Sequence, residues 1–238
     1  MPKGKSQEAT NDLVLSFKAV RQALGWIGAL LPVALILGGA GFDHHVAASI
    51  SDTYYTAMKD VFVGAMCATG VFLVSYRGYD RAPDEFLSDT WISRIAGAAA
   101  IGLALMPTAP ALPEPTGGLT AMQRLIGPGP TSVLHFTCAA LFFAMLATFC
   151  LFLFTRTGTT RAATRAKINR NRVYRSCGWV LVGVILAVLA MKLIELALPA
   201  STAVFRSWSA MFILEAIGVW AFGLSWLVKG ESIGFLND

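Results

Sequence analysis

Residues 132–154 read SVLHFTCAALFFAMLATFCLFLF, a stretch in which His135 is the only residue of ordinary acid or base character. Lipid offers no hydrogen-bonding partner to the backbone, so a chain crosses the roughly 30 Å hydrocarbon core of a membrane as about 20 apolar residues of helix. The stretch has that length and composition, and it predicts a transmembrane helix.

Five further stretches of the chain share these properties. The 238 residues are 55% hydrophobic and 14% charged, with a mean hydropathy of +0.61, which is too apolar for a soluble globular domain. We therefore expect a single all-α domain over residues 1–238, a polytopic membrane bundle of six transmembrane helices with one larger outer loop at 109–131. The predicted spans are 22–41, 57–76, 91–108, 132–154, 177–198 and 208–228.

The positions of lysine and arginine predict the orientation of the bundle. Basic residues beside a span resist translocation and therefore accumulate on the cytoplasmic side. All but four of the 19 basic residues fall at the N-terminus, in the second and fourth loops with their flanks, or in the tail. We therefore predict that both termini are cytoplasmic and that the protein is a multi-pass protein of the bacterial inner membrane. The net charge of +5 reflects this topology and does not indicate nucleic-acid binding.

Ionisable side chains near the spans gather on the outer side. Such a group costs several kcal/mol in hydrocarbon unless it is paired or hydrated, so it is a candidate for function. At about 1.5 Å of rise per residue, Glu215 lies about 10 Å below the outer surface, Lys192 about 10 Å and Glu195 about 6 Å. We predict a polar pocket that faces the periplasm. Its residues are Ser51, Asp52, Asp60, Lys192, Glu195 and Glu215.

Spacing along the spans adds two expectations. Lys192 and Glu195 are three residues apart, so they share a helix face and can neutralise each other. On the second span, Asp60 begins a stripe of mostly small residues with Gly64, which predicts an interior position for the carboxylate. The third span is rich in alanine and glycine over 96–102 and is expected to lie centrally, because small residues allow membrane helices to approach closely.

The segment GFDHHVAASISDTYYTAMKD, residues 41–60, raises the question of a metal site. Histidine and carboxylate ligands together suit zinc, manganese or iron, although the segment has no HxxxH or HExxH spacing. A metal site would require His135 from the fourth span to join His44 or His45 and an aspartate. In the alternative interpretation, Ser51 and Asp52 cap the second helix, both loop histidines are solvated, and the acidic residues form a structural ion-pair network with Lys192.

The run Ser49-Ile50-Ser51-Asp52-Thr53, between the first two of six spans, resembles the ISDTG-like element of the DRAM-type six-span family. That family includes eukaryotic autophagy modulators and lipid-remodelling factors, and uncharacterised bacterial six-span proteins share the layout. The resemblance implies a lipid-related membrane role with Ser51 and Asp52 at the pocket mouth. This chain departs from the pattern after Thr53, where Tyr54-Tyr55 replaces glycine.

These observations leave several classes of function open. The leading hypothesis is a non-enzymatic protein that binds membrane lipid or another amphiphile and organises the membrane. The first alternative is an intramembrane hydrolase of lipid amides or esters that uses zinc or another divalent transition metal; its residue inventory, though not its spacing, resembles the alkaline-ceramidase and adiponectin-receptor superfamily. Transport of protons or a small solute, and a role as a homo-oligomer or as a subunit of a larger membrane complex, are further alternatives.

Overall fold

A computed structural model describes residues 3–76, 88–109, 118–156, 164–198 and 209–236, and all regular structure in these ranges is helical. Two π-helical turns extend the first and fifth helices, over Gly39–Asp43 and Phe149–Leu153, and a short 3₁₀ helix covers Ser51–Tyr55. The seven α-helices are α1 (Lys3–Gly38), α2 (Lys59–Ser75), α3 (Asp89–Leu105), α4 (Ala121–Ile126), α5 (Pro128–Thr148), α6 (Arg165–Ala197) and α7 (Ala210–Lys229).

Within the described ranges of the chain, four helical segments are long and apolar enough to cross a membrane, and they agree with the first, fourth, fifth and sixth predicted spans. The all-α prediction is therefore confirmed, and the four helices support a membrane protein. The predicted spans 57–76 and 91–108 also form helices, α2 and α3, of 17 residues each. The four long segments are Phe17–Asp43, Pro128–Leu153, Arg165–Ala197 and Ala210–Lys229.

Helices α1 and α7, from opposite ends of the sequence, cross in backbone contact. A Cβ atom built on Gly223 would lie 2.6 Å from the backbone nitrogen of Ala29 and 2.8 Å from the carbonyl carbon of Gly28. Such a distance is too short for any side chain, so glycine is required at this crossing. Small residues at helix contacts are the usual means by which membrane helices approach closely.

Helix α3 packs against α2 and α5 through its small residues. A Cβ atom on Gly97 would lie 2.6 Å from the carbonyl oxygen of Gly70 on α2, so these two backbones also touch. Ala96, Ala100 and Ala104 on α3 are buried. Each of the six long helices in the described residues packs chiefly against two neighbours, so α3 is one member of a ring of helices and its predicted central position is not shown.

The interior position predicted for Asp60 is wrong. Asp60 and Gly64 are exposed, whereas the buried face of α2 carries Phe62, Met66 and Leu73. The two faces are offset by two residues, which is about 200° around a helix of 3.6 residues per turn. The interface of α2 is therefore formed by these large apolar side chains together with the glycine that touches α3, and not by the stripe that begins at Asp60.

An aromatic cluster closes the end of the bundle at which α2 and α7 finish. Tyr76 and Phe154 each approach Trp226 edge-on, with ring centroids 5.2 Å apart in both pairs. Beside this cluster, Arg156 forms a 3.1 Å ion pair with the buried carboxylate of Asp89. The opposite end, where α1 leads into α2 and where α7 begins, carries the candidate site.

Candidate functional site

A cavity of about 630 Å³ lies between α5, α6, α7 and the segment that joins α1 to α2. Its volume is in the range of small-molecule sites, which are roughly 300–1,000 Å³. One end is polar and is lined by side chains from the joining segment, from α7, from the first turns of α5 and from the last turns of α6. The principal polar side chains are Ser51, Asp52, His135, Lys192, Glu195 and Glu215.

The rest of the cavity is an apolar cleft between α5 and α6. Its apolar lining extends on α5 from Phe136 to Phe143 and on α6 from Met191 to Val184. Each interval covers about 10 Å of helix, which is about a third of the thickness of a hydrocarbon core. Ala139 and Ala140 keep the cleft open because their side chains are short.

The cleft also opens sideways between the two helices. Phe136 of α5 and Leu189 of α6 line it, and they are 45% and 53% exposed. Side chains exposed on the apolar flank of a membrane bundle face the acyl chains of the bilayer. A lipid chain can therefore enter from the side, without passing the polar end.

The segment that joins α1 to α2 is held in place by hydrogen bonds to the first turns of α7 and by hydrogen bonds between its own two ends. The backbone N–H of Ile50 donates to Oε2 of Glu215 at 2.6 Å, and the N–H of Phe212 donates to the carbonyl oxygen of Ala48 at 3.1 Å. The carboxylate of Asp43 accepts from the N–H of Ala57 at 3.2 and 3.3 Å. Glu215 thereby fixes the backbone on which Ser51 lies.

His135 and Ser51 form a hydrogen-bonded pair in the cavity wall. Nδ1 of His135 lies 2.7 Å from the carbonyl oxygen of Met106, and Nε2 lies 2.8 Å from Oγ of Ser51. A carbonyl oxygen can only accept, so Nδ1 carries the hydrogen, and Nε2 of the neutral ring accepts from the Ser51 hydroxyl. The histidine is 2% and the serine 8% exposed, and both line the cavity.

A second polar cluster fixes the end of α3 beside this pair. The hydroxyl of Tyr55 donates to the carbonyl oxygen of Thr108, and Nε2 of Gln123 donates to the Tyr55 oxygen at 2.8 Å. Burial raises the pKa of Tyr55, so its phenol keeps its proton and remains a donor. Gln123 also completes a capping box with Thr120 at the start of α4.

The ion pair predicted between Lys192 and Glu195 is present. Nζ of Lys192 lies 2.9 Å from Oε2 of Glu195, and the same ammonium lies 5.4 Å from the ring centroid of Phe136. Both residues line the polar end of the cavity. The spacing of three residues on α6 accounts for the pair.

The predicted metal site of His44, His45 and His135 finds no support. His44 and His45 are exposed, and Nδ1 of His45 lies 2.8 Å from the carbonyl oxygen of Asp43. Both ring nitrogens of His135 are already hydrogen-bonded. Among the residues that the structure describes, no group of three or more His, Cys, Asp or Glu side chains could hold a metal ion.

The structure brings together five of the six predicted pocket residues. Ser51, Asp52, Lys192, Glu195 and Glu215 line one cavity, whereas Asp60 does not line it. His135 lines it as well, as the partner of the serine. Sequence reasoning missed this pairing, for which the available signal was a histidine near the start of an otherwise apolar helix.

Comparisons with known proteins leave the site to be interpreted on its own geometry. The likeness to DRAM-type proteins is carried by a five-residue run and a predicted topology, and it stays a prediction. No protein-family model, curated protein or solved structure matches this chain.

Proposed function

We propose that this protein binds a membrane lipid or a similar amphiphile, with an acyl chain in the α5–α6 cleft and the head group at the polar end of the cavity. The observation that carries the proposal is the division of a single cavity into these two parts. The apolar part extends about 10 Å along both helices, which is about two thirds of the depth of one leaflet. A ligand with one polar end and one apolar end fits that division.

The charges at the polar end support an amphiphile over a wholly apolar ligand. Lys192 offers an ammonium group to a phosphate or carboxylate, while Asp52 and Glu195 offer acceptors to hydroxyl or ammonium groups. A hydrocarbon without a head group would leave these side chains desolvated and without new partners, which is unfavourable. A lipid head group replaces the water that they lose.

We further propose that α2 and α3 also cross the bilayer, giving six spans with both termini in the cytoplasm of the bacterial inner membrane. Each is about 25 Å long, close to the hydrocarbon thickness, and a modest shortfall is met by local thinning of the bilayer. The asymmetry of basic residues supports the orientation. The cavity then opens towards the periplasm.

Reporter fusions test this topology. We expect alkaline phosphatase to be inactive when it is fused after Asp238 and active when it is inserted after Gly118, because the enzyme folds only in the oxidising periplasm. A green fluorescent protein fused after Asp238 should fluoresce. Phosphatase activity from the C-terminal fusion would contradict the orientation.

Filling the cleft is expected to remove the bound lipid. Ala140 lines the cleft and is itself exposed, so Ala140→Phe adds a ring to the cavity with little strain on the bundle. We expect the amount of co-purified lipid per chain, measured by mass spectrometry after extraction, to fall at least about tenfold, which corresponds to about 1.4 kcal/mol of binding free energy.

Ala190→Phe is the matched control for this variant. Ala190 is an exposed alanine on α6 and does not line the cavity. Its substitution should leave the lipid content as in the unaltered protein. Equal lipid content in the two variants would show that the bound lipid is ordinary annular lipid and would overturn the proposal.

A further inference from the structure

We propose that Ser51 and His135 are a nucleophile and its general base, and that they cleave the ester bond of a lipid held in the cavity. The inference rests on the proposed lipid binding and adds a reaction to it. It arises from the 2.8 Å contact between Ser51 Oγ and His135 Nε2 in the wall of a cavity that is large enough for a substrate.

The arrangement has the three parts that activate a serine hydroxyl. These parts are the hydroxyl, an imidazole nitrogen that accepts its proton, and a third group that fixes the imidazole. Here the carbonyl oxygen of Met106, 2.7 Å from Nδ1, is the third group, and it leaves Nε2 as the acceptor. The Asp52 carboxylate lines the same cavity and favours the imidazolium that forms during the reaction.

Several other hydroxyl groups of the described helices bond locally, although Ser93 of α3 donates to the carbonyl oxygen of Leu73 on α2. Thr137 donates to the carbonyl oxygen of Val133, Thr148 to that of Ala144, and Ser225 to that of Phe222, all within their own helix. Such bonds satisfy a hydroxyl locally and require no partner from elsewhere in the chain. Ser51 is bonded instead to a histidine 84 residues away, and both groups face a cavity.

The position of the pair along the cavity indicates the substrate class. His135 lies on α5 between Ser132 at the outer end of the lining and Ala139 in the apolar cleft. An acyl chain in the cleft therefore places its carboxyl carbon near Ser51, with the alcohol portion towards Lys192. The substrate class is a long-chain carboxylic ester, such as an acylglycerol or a lysophospholipid.

The reaction needs water as its only co-reactant. Oγ of Ser51 bonds to the ester carbonyl carbon while its proton passes to Nε2 of His135, and the negative oxygen that develops is stabilised by the ammonium of Lys192. The carbon–oxygen bond to the alcohol breaks, and His135 returns the proton to that oxygen. Water then attacks the acyl-Ser51 ester, His135 transfers the water's proton to Oγ, and a fatty acid leaves with no change in oxidation state.

A serine-directed phosphonylating reagent tests the pair directly. Full-length protein in detergent micelles is incubated with a long-chain alkyl fluorophosphonate, and the modified residue is located by peptide mass spectrometry. We expect the adduct on Ser51 and none in Ser51→Ala. His135→Gln should slow labelling at least about 100-fold, since a positioned base contributes that much or more. Ser225 is a buried serine that does not line the cavity. In the Ser225→Ala variant, Ser51 should therefore be labelled as fast as in the unaltered protein.

Turnover and binding are measured on the same preparations. We expect the unaltered protein to release fatty acid from a lysophospholipid, Ser51→Ala to release none, and both to retain the bound lipid. Lipid binding with neither adduct nor turnover would overturn the catalytic role and leave the proposed function intact. Absence of binding, adduct and turnover would overturn both. Turnover that persists in Ser51→Ala would place the nucleophile elsewhere and also overturn the inference.

Discussion

Gly223→Val is expected to lower the midpoint of thermal unfolding by about 10 °C or more and to reduce the yield of monodisperse protein. The added side chain would clash with the backbone of α1 at Ala29 and Gly28, and a clash with backbone atoms cannot be relieved by a change of rotamer. Moving α1 away from α7 lowers the free energy of unfolding by about 3 kcal/mol or more, which is at the upper end of the range for overpacked interiors. Fluorescence-detected size-exclusion chromatography after heating measures the midpoint.

Gly183→Val is the matched control for the crossing. Gly183 lies on α6, is exposed, and a Cβ atom built there meets no other atom within 4 Å. Glycine and valine differ by less than about 1 kcal/mol in helix propensity, so we expect the unfolding midpoint to change by only a few degrees. A midpoint for Gly223→Val as high as that of the control would contradict the backbone contact between α1 and α7.

The sequence predicted the helices of this fold well, because length and hydropathy are properties of a segment by itself. It predicted helix contacts poorly. In lipid both the buried and the lipid-facing sides of a helix are apolar, so hydropathy does not mark the interface. Asp60 illustrates the difficulty: a stripe of small residues resembled an interface, whereas Phe62 and Met66 form the real one.

The candidate site shows the same difference: a contact within one helix could be predicted from the sequence, and a contact between distant parts of the chain could not. The pair of Lys192 with Glu195 was predictable because both lie on one face of one helix. The pair of Ser51 with His135 joins a loop to a helix, and the direction of a loop side chain does not follow from periodicity. The metal hypothesis rested on the presence of suitable ligand types. Residue types do not show where a side chain points, so the hypothesis could not reveal that His44 and His45 are exposed.

Glu215→Ala is expected to abolish phosphonylation of Ser51 and to reduce lipid binding, although Glu215 takes no part in the bond-making steps. Its carboxyl group accepts the N–H of Ile50 at 2.6 Å and also interacts with the backbone N–H of Ser51. Ile50 is buried, and a buried donor without an acceptor costs about 1–3 kcal/mol. The segment relieves that cost by moving, and Ser51 then loses its contact with His135.

Glu215→Gln separates this positioning role from a role of charge. The glutamine side chain has nearly the same shape and presents a carbonyl oxygen that accepts the N–H of Ile50, but it cannot ionise. We expect the glutamine variant to keep most of the labelling rate, measured by time-resolved mass spectrometry, while the alanine variant falls to the level of Ser51→Ala. Equal loss in both variants would contradict a role limited to accepting hydrogen bonds. The site would then depend on the carboxyl group itself, and one well-placed hydrogen-bond acceptor would not be enough to hold Ser51 beside His135.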